Sequence, residues 1–361
     1  MSTEELYAIR SDMPDENIYD EAKERWDSVA KPIDGLGDFE NIICRIASIK
    51  GRVVPDIKKK ALVIMCADNG VVKEGVTQTD QSVTAKVAAL MAENKSSVGI
   101  MTKKFGIDII PVDIGINADI KKDGLIDKKI SMGTGNIAEE PAMSHEQCLS
   151  AIRTGMDLVK DCAKKGYDII ATGEMGIGNT TTSTALFCAL TQTSPETVTG
   201  RGAGLSDEGL AKKIKVIKEA IAFHRFNRIG LERTPEMAFE ALRYLGGLDI
   251  AGLTGVYIGG AITKTPVIID GFISAVAALC AYSIVPETKE YMIASHSGRE
   301  KGIEKVLEIL GLKAVIDADM ALGEGTGAVM MFPLIDMAME LYSKGTGFDE
   351  TEINNYERFE N

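Results

Sequence analysis

Residues 171–184 read ATGEMGIGNTTTST, and this stretch decides the fold. Asp168–Thr172, at its start, is a short apolar run of strand character. It enters a turn rich in glycine, after which Asn179 and Thr180–Thr182 open a helix. A buried strand, a glycine turn and a helix N-terminus make one half of a parallel α/β unit. Such a turn offers backbone N–H groups and a positive dipole end to a phosphate. Gly173 and Gly178 have the spacing of a nucleotide-binding P-loop, but Asn179 stands where the lysine belongs, so ATP binding is rejected. A merely well-capped helix needs one Asn or Thr, not a run of glycines and hydroxyls.

The pattern repeats on both sides. Ala61–Cys66, Ile107–Asp113, Val267–Ile269, Tyr291–Ala294 and Ala314–Ile316 are further candidate strands. Several are near-continuous apolar runs, the mark of strands buried on both faces of a parallel sheet. Helical stretches separate them over Val83–Met101, Glu146–Lys165, Asp207–Phe223, Gly271–Ala281 and Glu300–Leu310. This alternation predicts an open, doubly wound α/β domain. The strands run into ADNGVVKEGV, DIGIN, GEMGIGNTTT, DGF and ASHSGRE, so glycines with acidic or hydroxyl residues collect at their carboxyl ends. In an open parallel sheet that edge is the ligand crevice.

Two more glycine stretches carry candidate chemistry. TGRGAGLSDEGLAKK (199–213) places Gly200, Gly202 and Gly204 before a helix, with Arg201 and Lys213 as positive charges that a phosphate would need. A plain loop reads equally well there. MALGEGTGAVMMFPL (320–334) sets Glu324 between glycines at a helix N-terminus. Glu174 has the same Gly-Glu context, and two carboxylates on glycine turns at one sheet edge suit general-base work. His296, in ASHSGRE, is the histidine placed to face the crevice; His145 and His224 read as surface or satisfied interior residues.

Composition bounds the partners. The 361 residues carry 40 Lys+Arg against 53 Asp+Glu, a net −13 that argues against nucleic acid or an anionic membrane as a general partner. A phosphorylated small molecule remains compatible, because a helix N-terminus can hold it locally. The six cysteines are scattered, without zinc or redox spacing, and read as reduced, buried thiols of a cytoplasmic protein. The polar, acidic N-terminus is not expected to be a signal or transit peptide, and the longest apolar stretch, 271–285, is too short to span a bilayer. Ile18, Ala22, Trp26 and Val29 form one helical stripe near the N-terminus; Met330, Leu334, Met337 and Leu341 form another near the C-terminus. The two could pack together as a small helical subdomain or flank the main core.

Eight motifs in order, KPIDGLGDFE, ADNGVVKEGVT, GEMGIGNTTT, GRGAGL, GGLDIAGLTG, PVIIDGFISAVAAL, ASHSGRE and LGEGTGAVMMFPL, resemble the nicotinate-nucleotide–dimethylbenzimidazole phosphoribosyltransferase family over roughly residues 30 to 340. The resemblance implies a Rossmann-like, doubly wound and mainly parallel six-stranded sheet. It adds a small helical domain from both termini: 1–50 and 329–361 around a catalytic 51–328. It implies transfer of phosphoribose from nicotinate mononucleotide to a lower-ligand base in cobamide assembly, with no metal or other cofactor. A homodimer, or a heterodimer with a related subunit, is implied as well. Glu324 matches the family's general base and Glu174 a second carboxylate near the ribose. Gly176, Gly178, Asn179, Thr180, Arg201, Gly202, Gly204, Lys213, Asp270, Ser295, His296 and Gly325 match positions around the substrate, and Thr77, Ala85, Met175 and Leu322 the base pocket.

The departures keep other readings open. Asn69 stands where the family has His, Ala321 where it has Arg, and Ile303 ends a motif that usually ends in His. A changed acceptor, such as a phenol or another benzimidazole, is one alternative. A paralogous subunit that supports an active sibling is another. An NAD-dependent dehydrogenase lacks its GxGxxG context.

Overall fold

The computed structural model describes residues 1–202, 204–228, 230 and 232–358. Six strands form the main sheet: β1 (Lys60–Ala67), β2 (Asp108–Gly115), β3 (Ile126–Asp127), β4 (Ile169–Met175), β5 (Val267–Ile269) and β6 (Met292–Ala294). They are parallel throughout and ordered β3-β2-β1-β4-β5-β6. Every residue of β1 is buried, as the unbroken apolar run from Ala61 requires, and the buried Lys60 at its start pairs with Asp336. The order reverses between β1 and β4, and the crevice beyond their carboxyl ends is where such a sheet binds ligands.

The sheet faces two apolar layers. Val63, Met65 and Ile170 point into one, with the helices His145–Lys164, Leu248–Thr263 and Phe272–Ile284. Leu62, Ile64, Cys66 and Ala171 point into the other, with Trp26, Ile43, Phe332 and Tyr342 from helices near the two ends of the chain. Trp26 and Tyr342 pack at 4.9 Å between ring centroids with their planes tilted by 48°, and Arg25 donates to the Tyr342 and Ser343 carbonyls at 3.1 and 2.9 Å. Among the described residues no helix is long and apolar enough to cross a membrane. All six cysteines are buried and free.

Four sequence expectations need correction. The run at 314–316 does not join the main sheet; β8 (Ile316–Met320) pairs in parallel with β7 (His296–Gly298) as a separate two-stranded sheet. The sixth main strand is instead the two-residue β3, too short to show a period. The helix expected over 83–101 is two, Ser82–Ala92 and Ser97–Lys103, interrupted at Asn94 with φ +54°. On the helix Thr326–Lys344, the stripe Met330, Met337 and Leu341 faces outward, while Ala328, Met331, Phe332, Ile335 and Tyr342 are buried. That helix is apolar on both sides, so its period alone does not choose the core face.

Candidate active site

Three loops at the carboxyl ends of the strands meet around one cavity of about 310 Å³, at the lower end of ligand-sized pockets. Val76, Thr77 and Gln78 enter from the loop after β1, and Glu174 through Thr180 from the end of β4 and its turn. Ala321 to Glu324 enter from the loop after β8. The two glutamates singled out in the sequence therefore share a single space, although 150 residues separate them.

Local backbone chemistry sets this arrangement. Gly323, Glu324 and Gly325 are consecutive left-handed residues, with φ of +82°, +60° and +86°. Such a run is unfavourable for a side-chain-bearing residue and persists only when its surroundings hold it. Asp270, just past β5, supplies part of that hold: its carboxylate accepts from the Gly325 N–H at 3.2 Å and the Ala328 N–H at 3.0 Å. The Glu324 carboxylate is half-buried and accepts from the Val98 N–H at 3.2 Å. A Cβ on Gly323 would come within 3.0 Å of Glu174 Oε1, so the two carboxylate-bearing segments touch at a glycine.

Glu174 is 9% exposed. Burial pushes its carboxyl up to about 8; the Asn179 hydrogen bond opposes this, and Asp249, Asp270 and Glu300 add to it. Burial thus favours its protonated form. Asp249 is pushed up to about 6, again mainly by burial. Glu300, on the same wall, is raised by burial as well.

A buried cation lies behind the cavity wall at Thr180. Lys213 is 1% exposed, and its ammonium donates to Thr180 Oγ1 at 2.8 Å. Burial lowers its pKa to about 8, against the attraction of Glu300. A Cβ on Gly202 would lie 3.1 Å from Thr180 Oγ1 and 3.6 Å from Lys213 Nζ, so this glycine leaves the ammonium approachable. A buried lysine beside a helix N-terminus and a glycine backbone is a place for a phosphate.

The remaining expected residues divide. Gly176, Gly178, Asn179, Thr180, Arg201, Gly202, Met175, Thr77 and Leu322 all line the cavity. Arg201 is turned back on its own loop, donating to the Leu205 carbonyl at 2.8 Å and pairing with Asp207. Asn179 is buried and spends its amide on Glu174 and Asp249. The Gly204 carbonyl accepts from Gln78, tying the loop after β1 to the glycine loop before the helix Asp207–Phe223. Ser295 and His296 are buried and share a 2.9 Å hydrogen bond. His296 borders an adjoining cavity of about 30 Å³ together with Glu174, Asp270 and Glu300. Gly325 is packed against the Thr172 carbonyl, where a Cβ would sit at 3.0 Å. Ala85 is half-buried on its helix, and the cavity wall there is formed by Val87.

Gln78 and Val87 are wall residues outside the quoted motifs, and Leu205 and Ile273 are wall residues inside them that were not singled out. Leu205 beside its glycine turn and Ile273 just after β5 carry a positional signal; Val87, in the middle of the helix Ser82–Ala92, carries none. Asp249 is a further omission, signalled by an acid on an otherwise apolar helix directly after Gly246-Gly247. Of the departures, Ala321 is exposed on the cavity wall, and Asn69 is buried beneath the turn, where it accepts from Thr182 Oγ1 at 3.1 Å. Among the described residues, no group of three or more His, Cys, Asp or Glu side chains is placed to hold a metal ion.

Comparison with known proteins follows the same lines. A family model described as Phosphoribosyltransferase matches residues 11–353. A nicotinate-nucleotide–dimethylbenzimidazole phosphoribosyltransferase of Acetivibrio thermocellus is 41% identical over 340 residues, 94% of this chain and 94% of that one. The protein of that name from Clostridioides difficile is 39% identical over 339 residues, 94% of this chain and 95% of that one. A crystal structure of CobT from Thermus thermophilus superposes with a TM-score of 0.87 at 32% identity, covering 94% of this chain and all (100%) of that one.

Proposed function

The chain belongs to the nicotinate-nucleotide–dimethylbenzimidazole phosphoribosyltransferase family, and from that premise we propose how its residues divide the work. The reaction moves phosphoribose from nicotinate mononucleotide to a lower-ligand base, giving an α-linked ribotide and nicotinate for cobamide assembly. The observation that carries the assignment of roles is the shared cavity of Glu174 and Glu324, with Lys213 hydrogen-bonded to Thr180 on its wall.

The donor phosphate sits against Lys213, Thr180 and the Gly202 backbone. The bond from C1′ to the pyridinium nitrogen breaks, and its electron pair stays with nicotinate, so no acid is needed there. The acceptor nitrogen attacks C1′ from the opposite face and inverts the anomer. Its proton passes to Glu324, which has a free side toward the cavity. Glu174, whose burial favours its protonated form, hydrogen-bonds an oxygen of the donor, and passing its proton to the donor's phosphate dianion leaves a carboxylate that stabilises the positive charge at C1′. The acceptor ring lies among Thr77, Met175, Val87 and Leu322. Dimethylbenzimidazole is the acceptor the relatives' name carries; Thr77, Ala85 and Met175 keep a phenol or another benzimidazole as the alternative, and Ala321 lacks the cation that would strengthen phosphate binding.

The division into 1–50, 51–328 and 329–361 is part of this proposal, as is assembly into a dimer with itself or with a related subunit. So is a cytoplasmic location, in keeping with six reduced thiols. Incubation of the pure protein with nicotinate mononucleotide and a panel of benzimidazoles, purines and phenols tests the reading. Release of nicotinate that depends on an acceptor supports it. Release that appears only after a related subunit is added supports the partner-subunit alternative.

A further inference from the structure

The GGLD motif at 246–249 has no part in the reaction as described above, yet it meets the cavity-lining Gly176 around one buried hydrogen-bond bridge. The Asn179 side-chain nitrogen donates both to Glu174 Oε2 and to Asp249 Oδ2, the latter at 2.9 Å. Asn179 is 4% exposed and Asp249 fully buried. A Cβ on Gly176 would stand 2.6 Å from Asp249 Oδ2 and 3.1 Å from the Asn179 nitrogen. A Cβ on Gly247 would stand 2.5 Å from Asp249 Oδ1. Two glycines far apart in the chain therefore keep open the space that the bridge fills.

An amide nitrogen has two hydrogens, and here each finds one carboxylate. With Asp249 in place, the Asn179 carbonyl cannot swing toward Glu174 without facing a second acceptor and stranding both hydrogens. We propose that Asp249 is a positioning residue: through the Asn179 amide it holds Glu174 in the orientation that faces the cavity. Asp249 does not touch substrate; it acts on the reaction through its neighbour. The charged groups around the bridge are Asp270 and Glu300 beside Glu174, and Asp68 beside Asp249. This inference rests on the phosphoribosyl-transfer reading.

The test uses the full-length chain and two near-isosteric variants, Asp249→Asn and Asn179→Leu, with two readouts. The first is the titration of the Glu174 carboxyl followed by 13C NMR without substrate. Asp249→Asn removes a negative neighbour and moves the midpoint down; Asn179→Leu removes a donor and moves it up. The second is steady-state kinetics. Each variant loses roughly 10- to 100-fold in kcat with the KM for nicotinate mononucleotide within a few-fold of wild type, and the pH profile shifts with the titration. Asp249→Asn combined with Glu174→Gln is no slower than Glu174→Gln alone. A Glu174 titration unmoved in both variants overturns the proposal, as do losses that multiply in the double variant. Should Asp249→Asn not fold, an unmoved titration in Asn179→Leu overturns it by itself. A wild-type protein that releases no nicotinate sinks the phosphoribosyl-transfer reading, while the titrations still decide the bridge.

Discussion

Gly173 runs so close beneath Glu324 that a Cβ on the glycine would stand 2.7 Å from the Glu324 carbonyl oxygen. The contact joins the end of β4 to the left-handed loop and brings two sequence-distant carboxylates to one cavity. Backbone shape, before any side-chain chemistry, sets the distance between Glu174 and Glu324.

Gly173→Ala tests that contact. The added methyl has no room unless the 323–325 loop lifts. Overpacking of this kind costs about 1–3 kcal/mol in stability, and the lifted loop displaces Glu324. Thermal denaturation records the first effect. A fall in kcat of at least about tenfold, from misplacement of the base, records the second.

Removing the acceptor for two backbone N–H groups gives a second expectation. Asp270→Ala leaves the Gly325 and Ala328 N–H groups without their partner, which costs about 1–3 kcal/mol. Because those groups open the helix that follows Glu324, kcat falls with it. Asp270→Asn, which keeps one acceptor oxygen, falls between wild type and alanine in both measurements.

Stability against pH follows from Glu174 with a definite sign. Its folded-state pKa is about 8, against an ordinary 4.5. Between those values the native state binds a proton that the unfolded state has released, so stability declines as pH rises through the window. Asp249, raised from 3.8 to about 6, acts in the same direction at lower pH. Glu174→Gln removes the larger contribution. Denaturant titrations from pH 5 to 8 show a smaller decline for the variant than for wild type.

Lys213 gives the opposite dependence and couples it to the ligand. Its pKa is lowered from 10.5 to about 8, so in that interval the unfolded chain holds the extra proton and stability gains with pH. Affinity for a phosphorylated ligand moves the other way, because the ammonium that attracts the phosphate loses its charge. Calorimetric binding of nicotinate mononucleotide weakens from pH 7.5 to 9.5, and the protein takes up protons on binding near pH 8. Lys213→Met binds roughly 10- to 100-fold more weakly and lacks this alkaline limb.

Much of this was legible in the sequence. Apolar runs ending in glycine and acid marked β1, β2, β4 and β5, since strands buried on both faces advertise themselves. The Gly-Glu context marked Glu174 and Glu324. The helix Leu248–Thr263 escaped notice because its glycines argue against a helix locally. They are there for packing: a Cβ on Gly255 would sit 1.9 Å from the Ile152 carbonyl, and one on Gly155 would sit 2.0 Å from that of Gly252. The bridge through Asp249 joins residues 70 positions apart and has no spacing to detect. The outward stripe of Met330 and Met337 followed the right period on the wrong face, because helix period reports shape and not what lies opposite.

The comparison of wild type with Glu324→Gln in nicotinate release, at saturating donor and acceptor, addresses the central assignment most directly. The glutamine keeps the shape and the contact to Val98 but cannot take the acceptor's proton. The account predicts a fall in kcat of at least about 100-fold, with the affinity for nicotinate mononucleotide nearly unchanged. A Glu324→Gln protein that releases nicotinate at the wild-type rate contradicts it.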